Sequence, residues 1–243
     1  MIDCIIPARG GSKGIPKKNI VLINKIPLIA YSIFVARKSK KINNIYVSTD
    51  SEEIANIAEF FGAKIPFLRP KHLASDTSSD KEVFIHFYEN AKKINLDLTE
   101  EIVHLRPTTP GRDVNIVDKA IELYFSTKKC TSLRSAHESN LTPNKWFKMK
   151  DGNFEPLIQN YSSNEVTNMP RQYFPKVYIP NGYLDIVKFS TFKHDGKFHG
   201  NIIKSFITDY VIDIDLKIDL DNALKDKTII YLAELIKQEY KIN

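Results

Sequence analysis

Two stretches at opposite ends of the chain carry side chains able to do chemistry. The first runs Arg9-Gly10-Gly11-Ser12-Lys13-Gly14 and continues to Lys17, Lys18 and Asn19. Glycines let a backbone bend tightly and bring its N–H groups against an anion, and Arg9, Lys13 and Lys18 add positive charge, so the expected ligand is a polyphosphate. The second stretch is Val211-Ile212-Asp213-Ile214-Asp215. In a strand, residues two apart share a face, which would place Asp213 and Asp215 side by side. Two adjacent carboxylates repel unless a cation separates them, and magnesium takes one or two carboxylates together with phosphate oxygens. A plainer alternative is that one of them caps the final helix while the other faces water.

Other chemistries find less support. A Walker loop needs Gly-Lys followed by Ser or Thr, and a Rossmann fingerprint needs G-x-G-x-x-G; neither occurs here. The six histidines, His72, His86, His104, His137, His194 and His199, show no metal-ligand spacing and no neighbouring nucleophile, and read as structural. Two cysteines, Cys4 and Cys130, cannot make a disulfide framework or a zinc site and are expected to be buried thiols. The net charge of +6 comes from lysines spread along the chain, which suits an anionic small substrate better than a nucleic-acid stripe. No apolar run approaches membrane-spanning length and the first strand begins at once, so a soluble cytoplasmic protein without membrane contact is expected.

The elements that must position these residues alternate. An apolar strand ends in Ile5-Ile6-Pro7-Ala8, a helix is expected over 27–36, a strand over 44–50 and a helix over 52–61 opened by Asp50 or Ser51. A short strand over 63–68 carries Pro66, which argues for an edge. A polar loop over 69–77 leads to a helix over 80–91, then a strand over 101–105, a loop through Arg106, a helix over 113–127 and a strand over 130–135. Residues 137–178 break the pattern, with a hairpin turning at Asp151-Gly152, and read as a β-rich insertion. One helix is expected over 219–237. The 243 residues therefore describe a single α/β domain, with a mostly parallel sheet, helices on both faces and ligands at the carboxyl ends of the strands.

Arg-Gly-Gly-Ser-Lys-Gly followed by Ile-Pro and Lys-Asn resembles the amino-terminal signature of the acylneuraminate (nonulosonate) cytidylyltransferases. Three further segments match in order: Arg69-Pro70 with Leu73-Ala74-Ser75-Asp76-Thr77, Arg106-Pro107-Thr108-Thr109-Pro110-Gly111-Arg112, and Ile212-Asp213-Ile214-Asp215. The resemblance covers most of the chain. It implies a Rossmann-like nucleotidyltransferase fold and transfer of CMP from CTP to a nine-carbon keto-acid sugar. Ala8, Arg9, Gly10, Gly11, Ser12, Lys13, Lys18 and Asn19 are then expected around the triphosphate, and Arg69, Ser75 and Asp76 near the nucleoside. Asp213 and Asp215 are expected to hold Mg2+, with Arg9, Lys18 and both aspartates as the catalytic set.

By the same resemblance the insertion is a homodimerisation arm, and Lys145, Arg171 and Asn181 belong to the acceptor region. Arg106 departs from the family, which usually has glutamine there, and Gly111 stands in place of a leucine. Arginine only donates hydrogen bonds, whereas glutamine also accepts, so Arg106 is expected to favour a diacetamido acid of the legionaminic or pseudaminic type over N-acetylneuraminic acid. Two alternatives stay open. One is a cytidylyltransferase for the eight-carbon acid of lipopolysaccharide, although its loop has arginine where this chain has Lys13-Gly14. The other is a catalytically idle nucleotide-binding homologue acting as an oligomeric scaffold.

Overall fold

A computed structural model describes residues 1–159, 164–194 and 196–242. Part of the expected arm, residues 160–163, and the side chain of His194 lie outside the described residues.

The central sheet has six strands: β1 (Ile2–Pro7), β4 (Ile42–Ser48), β5 (Glu101–His104), β6 (Ser132–Glu138), β9 (Tyr178–Lys188) and β10 (Ile203–Ile207). Two small hairpins supply the remaining strands, β2 (Leu22–Ile23) with β3 (Ile26–Pro27), and β7 (Phe147–Lys150) with β8 (Asn153–Pro156). The order across the main sheet is β10-β6-β9-β5-β1-β4. β1 lies parallel to both β4 and β5, and β10 is parallel to β6, while β9 is antiparallel to β5 and β6. The mostly parallel α/β sheet read from the sequence is therefore present, with one reversed strand inside it.

Alternation along β1 explains why both faces are covered. Ile2, Cys4 and Ile6 enter a core with α1 (Leu28–Lys38), α2 (Glu52–Phe60), α4 (Val114–Ser126) and α7 (Lys227–Tyr240). Ile5 points the other way, into a core with α3 (Asp80–Lys93) and α5 (Phe189–His194). Helix starts follow capping chemistry: the Ser51 hydroxyl accepts from Ile54 N–H, and Ser79 with Glu82 forms a reciprocal capping box on α3. The hairpin turn falls at Asp151-Gly152 as expected, with positive φ at both residues.

Several elements differ from the sequence reading. Residues 63–68 form no strand; Lys64 makes a single parallel bridge to Tyr46 at the sheet edge, since Pro66 has no N–H to extend a ladder. Residues 211–215 pair with no strand either. Ile214 is buried and its N–H donates to Thr108 C=O at 2.8 Å, which leaves Asp213 and Asp215 exposed on either side of it. The final helix is two, α6 (Lys217–Ala223) and α7, because Asp226 interrupts the run to cap the second through Ile229 N–H. Cys4 is buried as expected, and Cys130 is only half-buried.

Candidate active site

The strand order reverses at β1. From β1 the chain crosses through α1 to β4 on one side, and later returns as β5 on the other, so a crevice opens beyond the carboxyl ends of β1 and β5. A cavity of about 280 Å³ lies there. The loop after β1 contributes Arg9, Gly11, Ser12, Lys18 and Asn19 to its wall. The segment before α3 contributes Arg69, Ser75, Asp76 and Asp80, and the end of β5 contributes His104, Arg106 and Thr108. A larger groove of about 670 Å³ runs between α1, α4 and α7, but of its two cations Lys38 is already paired with Glu239 and Arg112 is fully buried and spent on backbone carbonyls.

Each cation of the loop has a carboxylate partner. Asp76 bridges Arg9 Nη2 at 2.7 Å and Lys13 Nζ at 2.6 Å, and Asp215 takes Lys18 Nζ at 2.7 Å. Contact with Lys13, then Arg9, holds the Asp76 carboxyl below its ordinary range. The loop is shaped by side chains: Asp50 Oδ1 accepts from Gly10 N–H at 2.8 Å, and Asn19 Nδ2 donates to Arg9 C=O at 2.9 Å. Its glycines also matter for how the loop packs. None of the three has positive φ; instead a Cβ on Gly14 would stand 2.7 Å from the Asp215 carbonyl oxygen, so only glycine lets the loop close on the carboxylate segment. The left-handed residue here is Lys17, at φ 51°.

Arg69 is buried at 6% exposure, and its Nε and Nη2 find no partner among the described residues. Burial lowers its pKa, with Asp50 opposing. Buried donors without acceptors are costly, so a fork of this kind at a cavity wall is matched to a ligand that brings acceptors.

Deeper in the crevice lies a cluster the sequence did not announce. Arg106 donates to Asp185 at 2.9 Å and to Asp80 at 3.1 Å. Asp185 is almost completely buried, with Arg134 Nε and His104 Nδ1 at 3.7 and 3.8 Å. Burial first, then Arg106, pushes the His104 pKa down to about 4, so this imidazole is neutral at pH 7. Asp185 could have been suspected, because a carboxylate inside Tyr183-Leu184-Asp185-Ile186-Val187 needs a partner.

Of the expected site residues, Arg9, Gly11, Ser12, Lys18, Asn19, Arg69, Ser75, Asp76 and Arg106 line the crevice together. Ala8, Gly10 and Lys13 belong to the same loop but do not line the crevice, and Lys13 reaches it only through Asp76. Asp213 and Asp215 border it, Asp215 through Lys18, and Asp213 through Gly182, where a Cβ would stand 2.9 Å from Thr109 Oγ1, 3.5 Å from Arg106 Cδ and 4.0 Å from Asp213 Oδ2. Lys145, Arg171 and Asn181 do not line it. Lys145 donates to Met169 C=O and Arg171 to Ser139 C=O, both in the arm, and Asn181 donates to Thr208 Oγ1. Among the described residues no cluster of three or more His, Cys, Asp or Glu side chains placed to hold a metal occurs.

Comparison with known proteins decides the family. A cytidylyltransferase family model matches residues 4–237. The chain belongs to the cytidylyltransferase family. It is 33% identical over 92% of its length to the N-acylneuraminate cytidylyltransferase of Escherichia coli O18:K1:H7, of which it spans only 51%. It is 32% identical to the CMP-N,N'-diacetyllegionaminic acid synthase of Campylobacter jejuni subsp. jejuni serotype O:2, covering 96% of this cytidylyltransferase and 95% of that protein. The fold agrees with that of a CMP:2-keto-3-deoxy-manno-octonic acid synthetase solved with CTP, at TM-score 0.65 and 14% identity, covering 98% of this chain and all of the other.

Proposed function

We propose that this cytidylyltransferase joins CMP from CTP to a nonulosonic acid and releases pyrophosphate. The observation that carries the reading is the convergence of Arg9, Lys18 and the unpartnered buried fork of Arg69 on one crevice at the strand ends. The anomeric hydroxyl oxygen of the acid attacks the α-phosphorus, the bond from that phosphorus to the bridging oxygen breaks, and the hydroxyl proton passes to Asp213 or Asp215. Arg9 and Lys18 hold the triphosphate by exchanging their carboxylates for phosphate oxygens, and Arg69 offers its two free donors to the nucleoside part. The same hydrogen-bonding wall supports a preference for CTP over UTP.

Asp213 and Asp215 suit magnesium. They are exposed oxygen donors anchored by Ile214 between them, and Lys18 beside Asp215 supports a phosphate bound next to the ion. An ion held by Asp213 and Asp215 would neutralise charge building on the phosphates. Asp213→Ala and Asp215→Ala should each lower turnover at least about a hundredfold with the fold intact. Wild-type turnover in magnesium-buffered assays would end this assignment.

For the acceptor we favour a diacetamido acid of the legionaminic type. Arg106 with Asp80 presents donors and acceptors together, which suits an acetamido group, and the legionaminic relative matches along nearly its whole length. The arm exposes Trp146, Phe147, Met149, Phe154 and Tyr173, a patch that supports homodimerisation through a second copy. Among the described residues no helix is long and apolar enough to cross a membrane, and the nucleotide substrate supports a cytoplasmic site of action. Pyrophosphate release with CTP, magnesium and a panel of eight- and nine-carbon keto acids tests the reading. Turnover of the eight-carbon acid alone, or of none, would overturn it.

A further inference from the structure

Arg112 takes no part in the chemistry just described, yet it is tightly held. It is fully buried, and among the described residues its hydrogen bonds go to carbonyls and a hydroxyl rather than to a carboxylate. Its Nε donates to Tyr183 C=O, its Nη1 to Ser32 Oγ (2.9 Å) and Thr109 C=O, and its Nη2 to Arg106 C=O (2.8 Å) and Gly182 C=O (2.9 Å). A guanidinium is a rigid planar fork of five donors, so satisfying it with four carbonyls and a hydroxyl fixes those oxygens relative to one another. Ser32 closes the frame by donating to Arg106 C=O at 3.1 Å.

The four carbonyls belong to two backbones that the β5–β9 ladder joins only as far as His104 and Asp185, the loop after β5 and the stretch of β9 around the positive-φ Gly182. The loop then reaches the carboxylate segment directly, because Thr108 C=O accepts Ile214 N–H at 2.8 Å. Among the described residues, 209–213 join no ladder, so the Ile214 bond and the Asp219 carboxylate, which accepts from Asp215 N–H at 3.1 Å, hold the backbone of the pair. Gly182 meanwhile faces Asp213 Oδ2.

We infer that Arg112 is a positioning residue: it ties the loop 106–109 to the stretch of β9 around Gly182, and through Thr108 and Ile214 it sets where Asp213 and Asp215 stand relative to the basic loop. The catalytic consequence rests on the proposed role of the two aspartates. The positional claim does not, and the experiment keeps them apart.

Arg112→Lys retains charge but offers one nitrogen to oxygens spread around a plane. Hydrogen exchange at Ile214 N–H should accelerate by about tenfold or more, while amides of β1 stay unchanged, because the opening is local. Nucleotide affinity measured calorimetrically without metal should stay within about twofold and kcat should fall by ~10–100-fold, as for a misplacement on the ångström scale. Unchanged exchange at Ile214, or equal acceleration in β1, would overturn the inference. Should Arg112→Lys fail to fold, Ser32→Ala removes one of its partners from a helix that tolerates alanine, and should move Ile214 exchange in the same direction by about threefold. No movement there is equally fatal. If Ile214 responds but Asp213→Ala keeps full turnover, the positioning stands and the metal reading falls.

Discussion

The two ends of the crevice use the same ion-pair chemistry to opposite purposes. At the outer end Arg9, Lys13 and Lys18 meet Asp76 and Asp215, whose side chains are 39% and 69% exposed. At the inner end Arg106 meets Asp185, of which 1% is exposed. Exposed pairs contribute little to stability and exchange readily with a competing anion, whereas a buried carboxylate that loses its partner cannot turn to water. The outer cations are thus held ready for phosphate, and the inner arginine is fixed in place rather than exchangeable.

The sharpest way to break this contrast is Arg106→Met. Stranding Asp185 should cost about 3–5 kcal/mol of unfolding free energy in denaturant titrations. A loss below about 1 kcal/mol would place Arg106 with the exchangeable set.

His104 sharpens the inner end through pH. Its folded pKa of about 4 lies below the ordinary 6.5, so the unfolded chain binds the extra proton between those values and stability rises with pH across that window. Acidifying from pH 6.5 towards 4 should therefore remove up to about 3 kcal/mol through this group, and His104→Leu should flatten that part of the curve. An unaltered slope would mean that the imidazole is protonated in the folded protein, balanced by Asp185 and Asp80.

At the outer end, Arg9→Ala and Lys18→Ala should each weaken CTP binding by about 1.5–3 kcal/mol while changing unfolding free energy by less than about 0.5 kcal/mol. The smallest effect is the most pointed. Asp76→Asn removes a rival anion, so CTP should bind about two- to threefold more tightly, and weaker binding would make Asp76 a nucleotide contact after all.

The outer end was legible in the sequence and the inner end was not, for a physical reason. Strand, glycine-rich loop and helix lie within forty residues of each other in the order they are used, and local rules of turn and cap chemistry apply to them. Asp80, His104 and Asp185 come from three separate elements and Arg106 from the loop after β5, and each has a bland local reading: Asp80 opens a helix, and His104 ends a strand. The carboxylate pair was found for the right alternation but the wrong element, since one buried isoleucine does the work of a ladder. β9 escaped because Pro180, Asn181 and Gly182 interrupt an otherwise apolar run, and such residues normally argue against a strand interior.

That reversed strand has a consequence during synthesis. β1, β4 and β5 can assemble as the first half of the chain leaves the ribosome, but the free edge of β5 finds its neighbour only when Lys188 has emerged. At ~5–20 residues per second, an edge with the apolar Ile102 and Val103 at its centre stays open for on the order of ten seconds. Over that interval the nascent chain offers a pairing template to any other strand within reach, so translation speed between β5 and β9 bears directly on the yield of folded protein.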